Sequence, residues 1–269
     1  MCEAHGVADG SPLHLYPGLE DLRDPVLVLA YAGWSDGGDA ATSAVRYLLG
    51  ELSVSRYGYV DTEEFLDFTV VRPHARRRSD GRRDIVWPNH EFFAARLADE
   101  PCDLVLGLGV EPHLRWKAYS TAMVELVQSG NFRMVVMLGA YLDDVIYSQP
   151  VDVNGFSSDA ALVEQHGLSE SRYEGPTGIT GVLGDAFRRE GIPSLSLWAR
   201  VPHYVPQKPN ARGACALLRD FENVTGLHFD LSSLETEAAS YDETVSELVA
   251  NDPQLSAYVR ELKRRAFTQ

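Results

Sequence analysis

A carboxylate, an imidazole and a guanidinium stand close together at Glu111, His113 and Arg115. A carboxylate and an imidazole two residues apart can move a proton to or from a substrate. The guanidinium can hold an anion by two-point contact. Asp36 offers a second carboxylate in the turn Gly33-Trp34-Ser35-Asp36-Gly37-Gly38. Taken as one cluster, the four suit a hydrolase or transferase acting on a nucleoside or on an acyl or amide compound. Each also has a plainer reading. Asp36 precedes a helix and can cap its free N–H groups, and polar neighbours in a loop pair by chance. Asp143-Asp144 can take Mg²⁺ or Ca²⁺ only if other oxygens converge on them; alone they read as a turn or cap. His203 and Tyr204 lie in Val201-Pro202-His203-Tyr204-Val205-Pro206, which the prolines stiffen into a shaped site or a simple crossover.

Two glycine-rich junctions frame these residues. Pro25–Ala32 runs as an apolar strand into the turn Gly33–Gly38, and Gly175-Pro176-Thr177-Gly178 leads directly into a helix. At such junctions backbone N–H groups can face a ligand or a partner. A tight turn that only permits close packing is the simpler account. Neither junction is G-x-G-x-x-G, and no G-x-x-x-x-G-K-[ST] occurs. No G-x-S-x-G elbow, H-E-x-x-H pair or catalytic-cysteine signature is present either. These motifs imply no cofactor, no metal and no standard nucleophile, which weakens the enzyme reading.

The elements that must position these groups alternate. Val26–Ala32, Asp103–Leu108, Arg133–Leu138 and Ser194–Ala199 are unbroken apolar runs and predict buried strands. Asp39–Glu51, Trp116–Gln128, Asp159–Gln165 (capped by Ser157), Ile179–Glu190 and Ala211–Thr225 predict helices. Phe65–Arg72 and Asp84–Trp87 predict two strands of a hairpin, and Glu91–Ala98 a short helix. The fold class is therefore α/β, a mostly parallel sheet sandwiched by helices. Residues 13–228 form the α/β domain. Leu231–Val249 and Gln254–Phe267 carry helical periodicity only, so 229–269 reads as a C-terminal helical hairpin appendage. Ligands of open parallel sheets bind at strand carboxyl ends. Three groups fall there: Gly33–Gly38; Gly109, Glu111, His113 and Arg115; and Gly139–Asp144.

Composition limits the partners. A net charge of −15 argues against nucleic-acid and membrane surfaces, which need clustered positive charge. The one basic cluster is Arg72, Arg76, Arg77, Arg78, Arg82 and Arg83 on the hairpin, which can meet an acidic partner or a phosphate or simply be solvated. The chain has 21 Arg and three Lys, a bias that genomic base composition explains. Cys2, Cys102 and Cys215 form no C-x-x-C pair and suit a reducing compartment. With no apolar run long enough to span a bilayer and no leader pattern at residues 1–12, the expected location is the cytoplasm.

The two junctions together, in order with Gly191-Ile192-Pro193 and Val201-Pro202-His203-Tyr204-Val205, resemble the proteasome-assembly-chaperone family of the second type, and more specifically its actinobacterial branch. The resemblance covers roughly residues 13–265. It implies a phosphorylase/hydrolase-like sandwich, a homo-oligomer (a homotrimer in this branch) and a non-catalytic role in guiding proteasome rings. The glycine junctions and the polar residues at strand ends make Gly33–Gly38, Glu111, His113, Arg115, Gly175–Gly178, His203 and Tyr204 the candidate binding residues, and the resemblance implies protein partners such as proteasome subunits. Archaeal relatives end in a hydrophobic-Tyr-any tripeptide; here Thr268 stands at the tyrosine position of Ala266-Phe267-Thr268-Gln269. Trp34, Tyr141 and Tyr147, aromatics beside loops, are candidates for burial at a subunit contact.

Overall fold

The computed structural model describes residues 5–6, 10–18, 21–169 and 173–266. Cys2 and the Phe267–Gln269 tail lie outside them.

The strands are β1 (His5–Gly6), β2 (Leu13–Leu15), β3 (Val26–Ala32), β4 (Val54–Val60), β5 (His74–Arg77), β6 (Arg83–Val86), β7 (His90–Ala95), β8 (Leu104–Val110), β9 (Met134–Asp143), β10 (Val153–Ser157) and β11 (Ser194–Pro202). The helices are α1 (Ala40–Glu51), α2 (Trp116–Ser129), α3 (Ala160–His166), α4 (Ile179–Arg189), α5 (Ala211–Thr225), α6 (Ser232–Asn251) and α7 (Pro253–Ala266). Among the described residues, nine strands join in one sheet in the order β1-β2-β4-β7-β8-β3-β9-β11-β10. Its centre, β8-β3-β9-β11, is parallel. Antiparallel strands extend both edges.

The alternation of β3 explains the layers. Val26, Val28 and Ala30 pack with Ala44, Val45 and Leu48 of α1 and with α5. Leu27, Leu29 and Tyr31 face the other way, against α2 and α4. Both faces are buried, so the strand is apolar without a break, as parallel strands are. Each fully buried Leu contributes about 1.5–3 kcal/mol. Leu234, Tyr241 and Val245 of α6 and Val259 of α7 bury against the α1/α5 side of the core. No helix of the described residues is long and apolar enough to cross a membrane.

Several local expectations are corrected. Glu91–Ala98 is not a helix; its core is strand β7, paired with β4 and β8. Tertiary pairing overrides the helical propensity of its alanines, and Phe92 and Ala94 point inward with period two. Phe65–Arg72 is a pair of turns, anchored where Phe65 and Leu66 donate to Thr62 O. The hairpin exists, and the expected Asp84–Trp87 strand is β6 to within one residue; its partner is β5 rather than Phe65–Arg72. Asp159, not Ser157, caps α3, accepting from Ala161 N at 2.9 Å. Ser157 instead ends β10. That strand and β4 carry too little apolar pattern to be read from sequence.

Candidate functional site

The glycine turn after β3 is a packing solution first. Gly33 has φ +138°, and a Cβ there would come within 3.1 Å of Glu111 Cβ. A Cβ on Gly37 would press the Ala140 carbonyl at 3.1 Å. Ala140 N donates to Ser35 O at 2.9 Å, so the turn is laid against the end of β9. Asp36 is buried and fully used. Its carboxylate accepts from Ala41 N (2.8 Å), Thr42 N (3.2 Å) and Thr42 Oγ1 (2.6 Å), capping the first turn of α1. Burial raises its pKa, and the three hydrogen bonds oppose the rise.

Glu111 joins the two glycine junctions. It follows β8, and Oε1 accepts from Ile179 N at 2.7 Å while Oε2 accepts from Trp34 N at 3.3 Å. The residue before α4 is Gly178, which has no side chain to cap that helix. Glu111 supplies the missing carboxylate from another strand, where the helix dipole favours it. Gly178 is required by closeness: a Cβ would lie 2.7 Å from both Glu111 Oε1 and Ser35 Oγ. Ser35 Oγ is itself buried, with no hydrogen-bond partner among the described residues. Thr177 Oγ1 sits where a Cβ on Gly181 would collide at 2.1 Å. Tyr173 OH donates to Pro176 O at 3.0 Å and steadies the approach to α4.

The other candidates turn away. His113 Nδ1 accepts from Asp67 N at 3.0 Å, and Arg115 pairs with Glu64. His203 and Tyr204 serve α7. His203 Nε2 lies 3.0 Å from Tyr258 OH, which donates to Asp144 Oδ1 at 2.7 Å. Tyr204 OH donates to Val145 O at 2.9 Å. Asp143 pairs with Arg200 at 2.8 Å. Among the described residues no group of three or more His, Cys, Asp or Glu side chains is placed to hold a metal ion. Among the described residues Asp36, Glu111, His113 and Arg115 thus bond to different partners and not to one another. The proton-transfer cluster that their types suggest does not form.

Beside the junction, between α4 and the β9–β11–β10 edge, runs a groove of about 880 Å³. Met137, Tyr141, Phe156 and Trp198 give it an apolar floor, and Thr177, Asp185 and Arg188 line its α4 side. Trp34, 63% exposed, stands at it. Of the three aromatics expected at an interface, only Trp34 is exposed. Tyr141 is half-buried with its OH accepting from Asn154 Nδ2 at 2.8 Å, and Tyr147 packs on the core. Trp198 and Phe156 escaped the sequence reading. The period-two pattern of β11, with Leu195, Leu197 and Ala199 inward and Ser196 and Trp198 on the other face, carried the signal.

Behind Gly109 lies a closed aromatic cluster. His90 is buried between Tyr31 and Tyr119, whose hydroxyls are 2.9 Å apart. Its Nε2 contacts Val110 O, and burial lowers its pKa to about 4.

The sequence profile of the PAC2 family matches residues 30–249. No curated protein matches the chain. A PAC2 family protein from Streptomyces avermitilis is 38% identical, covering 88% of this chain and 100% of its own, with a TM-score of 0.82. Rv2125 of Mycobacterium tuberculosis, described as a proteasome-assembly chaperone homologue, is also 38% identical, covering 87% and 99%, with a TM-score of 0.79. PbaB of Pyrococcus furiosus, an archaeal proteasome activator, shares the fold at 18% identity and a TM-score of 0.70 over 92% and 99% of the two chains. The profile spans most of the chain and the two bacterial structures share its fold nearly end to end, so this chain belongs to the PAC2 family.

Proposed function

We propose that this chain is a non-enzymatic protein-binding factor, acting as a chaperone or adaptor for a proteasome-like complex. The observation that carries the reading is the edge formed by Trp34, the Glu111–Ile179 clasp and the adjoining apolar groove. An exposed tryptophan beside an open apolar groove is the kind of anchor protein partners use. The relation to Rv2125 supports the class of partner. The same reading makes the protein a cytoplasmic homo-oligomer, favouring a trimer. It divides the chain into an α/β body, 13–228, and a helical appendage, 229–269. The alternative, a small-molecule hydrolase or transferase, needs Asp36, Glu111, His113 and Arg115 to converge, and each is bound elsewhere.

The test is capture of partners by the tagged protein at native abundance, read by mass spectrometry. Proteasome α- or β-subunits enriched with wild type and lost with Trp34→Ala/Thr177→Ala support the proposal. Subunit recovery no better than from a mock bait refutes it.

A further inference from the structure

Two glycines shape the groove between α4 and the β9–β11–β10 edge. On the opposite face of the sheet α5 packs on β11 and β10. On this face α4 buries Ile179, Leu183 and Phe187 in the core under β3 and β9, and the groove runs on over β11 and β10. A Cβ on Gly139 of β9 would lie 2.6–2.8 Å from three adjacent atoms of the Trp198 ring, Cδ2, Cε3 and Cζ3. Near-equal distances to three adjacent ring atoms put the ring face-on over Gly139. One face of the indole therefore lies on the sheet, and the other is left to the groove. On the α4 side the groove is lined by Gly184, where a Cβ would meet only Met137 Cε at an ordinary 3.7 Å. Packing does not need glycine there, and glycine is unfavourable in a helix interior. Its effect is to keep the groove open.

The charged groups of the groove are already paired. Asp185 holds Arg188 at 2.8 Å and Arg189 at 2.7 Å. The free polar groups are hydroxyls. Thr180, 3% exposed, Ser194, 5% exposed, and half-buried Ser196 line the groove, and their hydroxyls have no hydrogen-bond partner among the described residues. Trp34 and Tyr173, both exposed, add aromatic surface. At about 880 Å³, mostly apolar with a few placed hydroxyls, the groove falls within the range of small-molecule sites, about 300–1,000 Å³. One side chain of a protein partner fills far less.

We propose that the groove binds an uncharged planar aromatic small molecule, stacked on the free face of Trp198 and hydrogen-bonded to the hydroxyls of Thr180, Ser194 and Ser196. Offset stacking on an indole favours a flat ring over a saturated one of equal size. A charged ligand finds no free counter-ion, because Arg188 is held by Asp185. The inference rests on the groove that adjoins the partner edge. Its test uses the purified chain with no proteasome present, so the two readings fail separately.

The experiment is calorimetric titration of the purified full chain with naphthol, a fused-ring probe bearing one hydroxyl. Binding is expected with a Kd of about 1 mM or tighter, within the reach of so small a ligand. Decahydronaphthol has the same skeleton without a π face and is expected to bind about three- to tenfold more weakly. Trp198→Leu is expected to weaken naphthol by a similar factor of about three to ten. Gly184→Leu fills the groove from a position where a Cβ has room, and is expected to abolish binding. Circular dichroism checks that the variants fold; Gly184→Leu, which gains helix propensity, decides the case if Trp198→Leu does not fold. No binding heat up to about 10 mM naphthol, equal binding by Gly184→Leu, or decahydronaphthol binding as tightly as naphthol would each overturn the proposal. So would binding of a tryptophan-containing peptide in place of naphthol, which assigns the groove to a protein partner.

Discussion

Replacing Glu111 by Ala removes a side chain that bonds to both glycine junctions. Two N–H groups lose their acceptor: Ile179 N at 2.7 Å and Trp34 N at 3.3 Å. A hydrogen bond to a charged group contributes about 1.5–3 kcal/mol, and loss of a helix cap costs about 0.5–2 kcal/mol. The 3.3 Å bond is long, and Glu111 is only half-buried, so water recovers part of both losses. The expected destabilisation is about 1.5–2.5 kcal/mol by urea unfolding. In a chain of this size that lowers Tm by about 3–8 °C. Glu111→Gln keeps one oxygen for Ile179 and is expected to lose less than half as much. Hydrogen exchange at the Ile179 amide separates this account from general destabilisation. That amide is expected to lose protection in Glu111→Ala more than amides in the centre of α4 do. A change under about 0.5 kcal/mol, or unaltered Ile179 protection, would refute the clasp.

Two further predictions concern buried ionisable groups. His90 is held neutral, with its pKa lowered from 6.5 to about 4 by burial. The unfolded chain binds the proton more tightly, so the stabilisation is full above pH 6.5 and lost as pH falls toward 4. At about 1.4 kcal/mol per pH unit the loss amounts to about 3 kcal/mol. Unfolding free energies of wild type and His90→Gln between pH 7 and 4 are expected to show that slope only in wild type; equal slopes would contradict it. Asp36 has a raised pKa, so its ionisation weakens the fold as pH rises through the folded value. Asp36→Asn, which can still accept from Ala41 N and Thr42 N, is expected within about 1 kcal/mol of wild type at pH 7, and Asp36→Ala about 1–3 kcal/mol below it. Equal stability of the two variants would remove the capping role.

Much of the fold was legible because its centre obeys simple patterns. Val26–Ala32 and Ala211–Thr225 appear with the bounds their apolar patterns predict. Elements whose identity depends on neighbours were not legible. The alanines of β7 suit a helix, and only its place between β4 and β8 makes it a strand. β10 is a polar-flanked edge strand fixed by β11. At the candidate site, residue types misled where geometry decides. Glu111, His113 and Arg115 are close in sequence but leave the end of β8 in different directions, to Ile179, Asp67 and Glu64. No spacing rule reveals that Glu111 caps a helix 68 residues later in the chain. The groove was missed for the same reason: Phe156 and Trp198 lie on different strands that meet only in the folded sheet.

The central claim is that the Trp34 edge contacts a proteasome-like complex. The most direct measurement places a photocrosslinking amino acid at position 34 in cells and identifies the adducts. A matched control carries it at Glu51, an exposed residue at the end of α1 on the opposite side of the sheet. The account predicts proteasome α- or β-subunit adducts from position 34 and none from position 51. Adducts that include no proteasome subunit, or equal labelling from both positions, would contradict it.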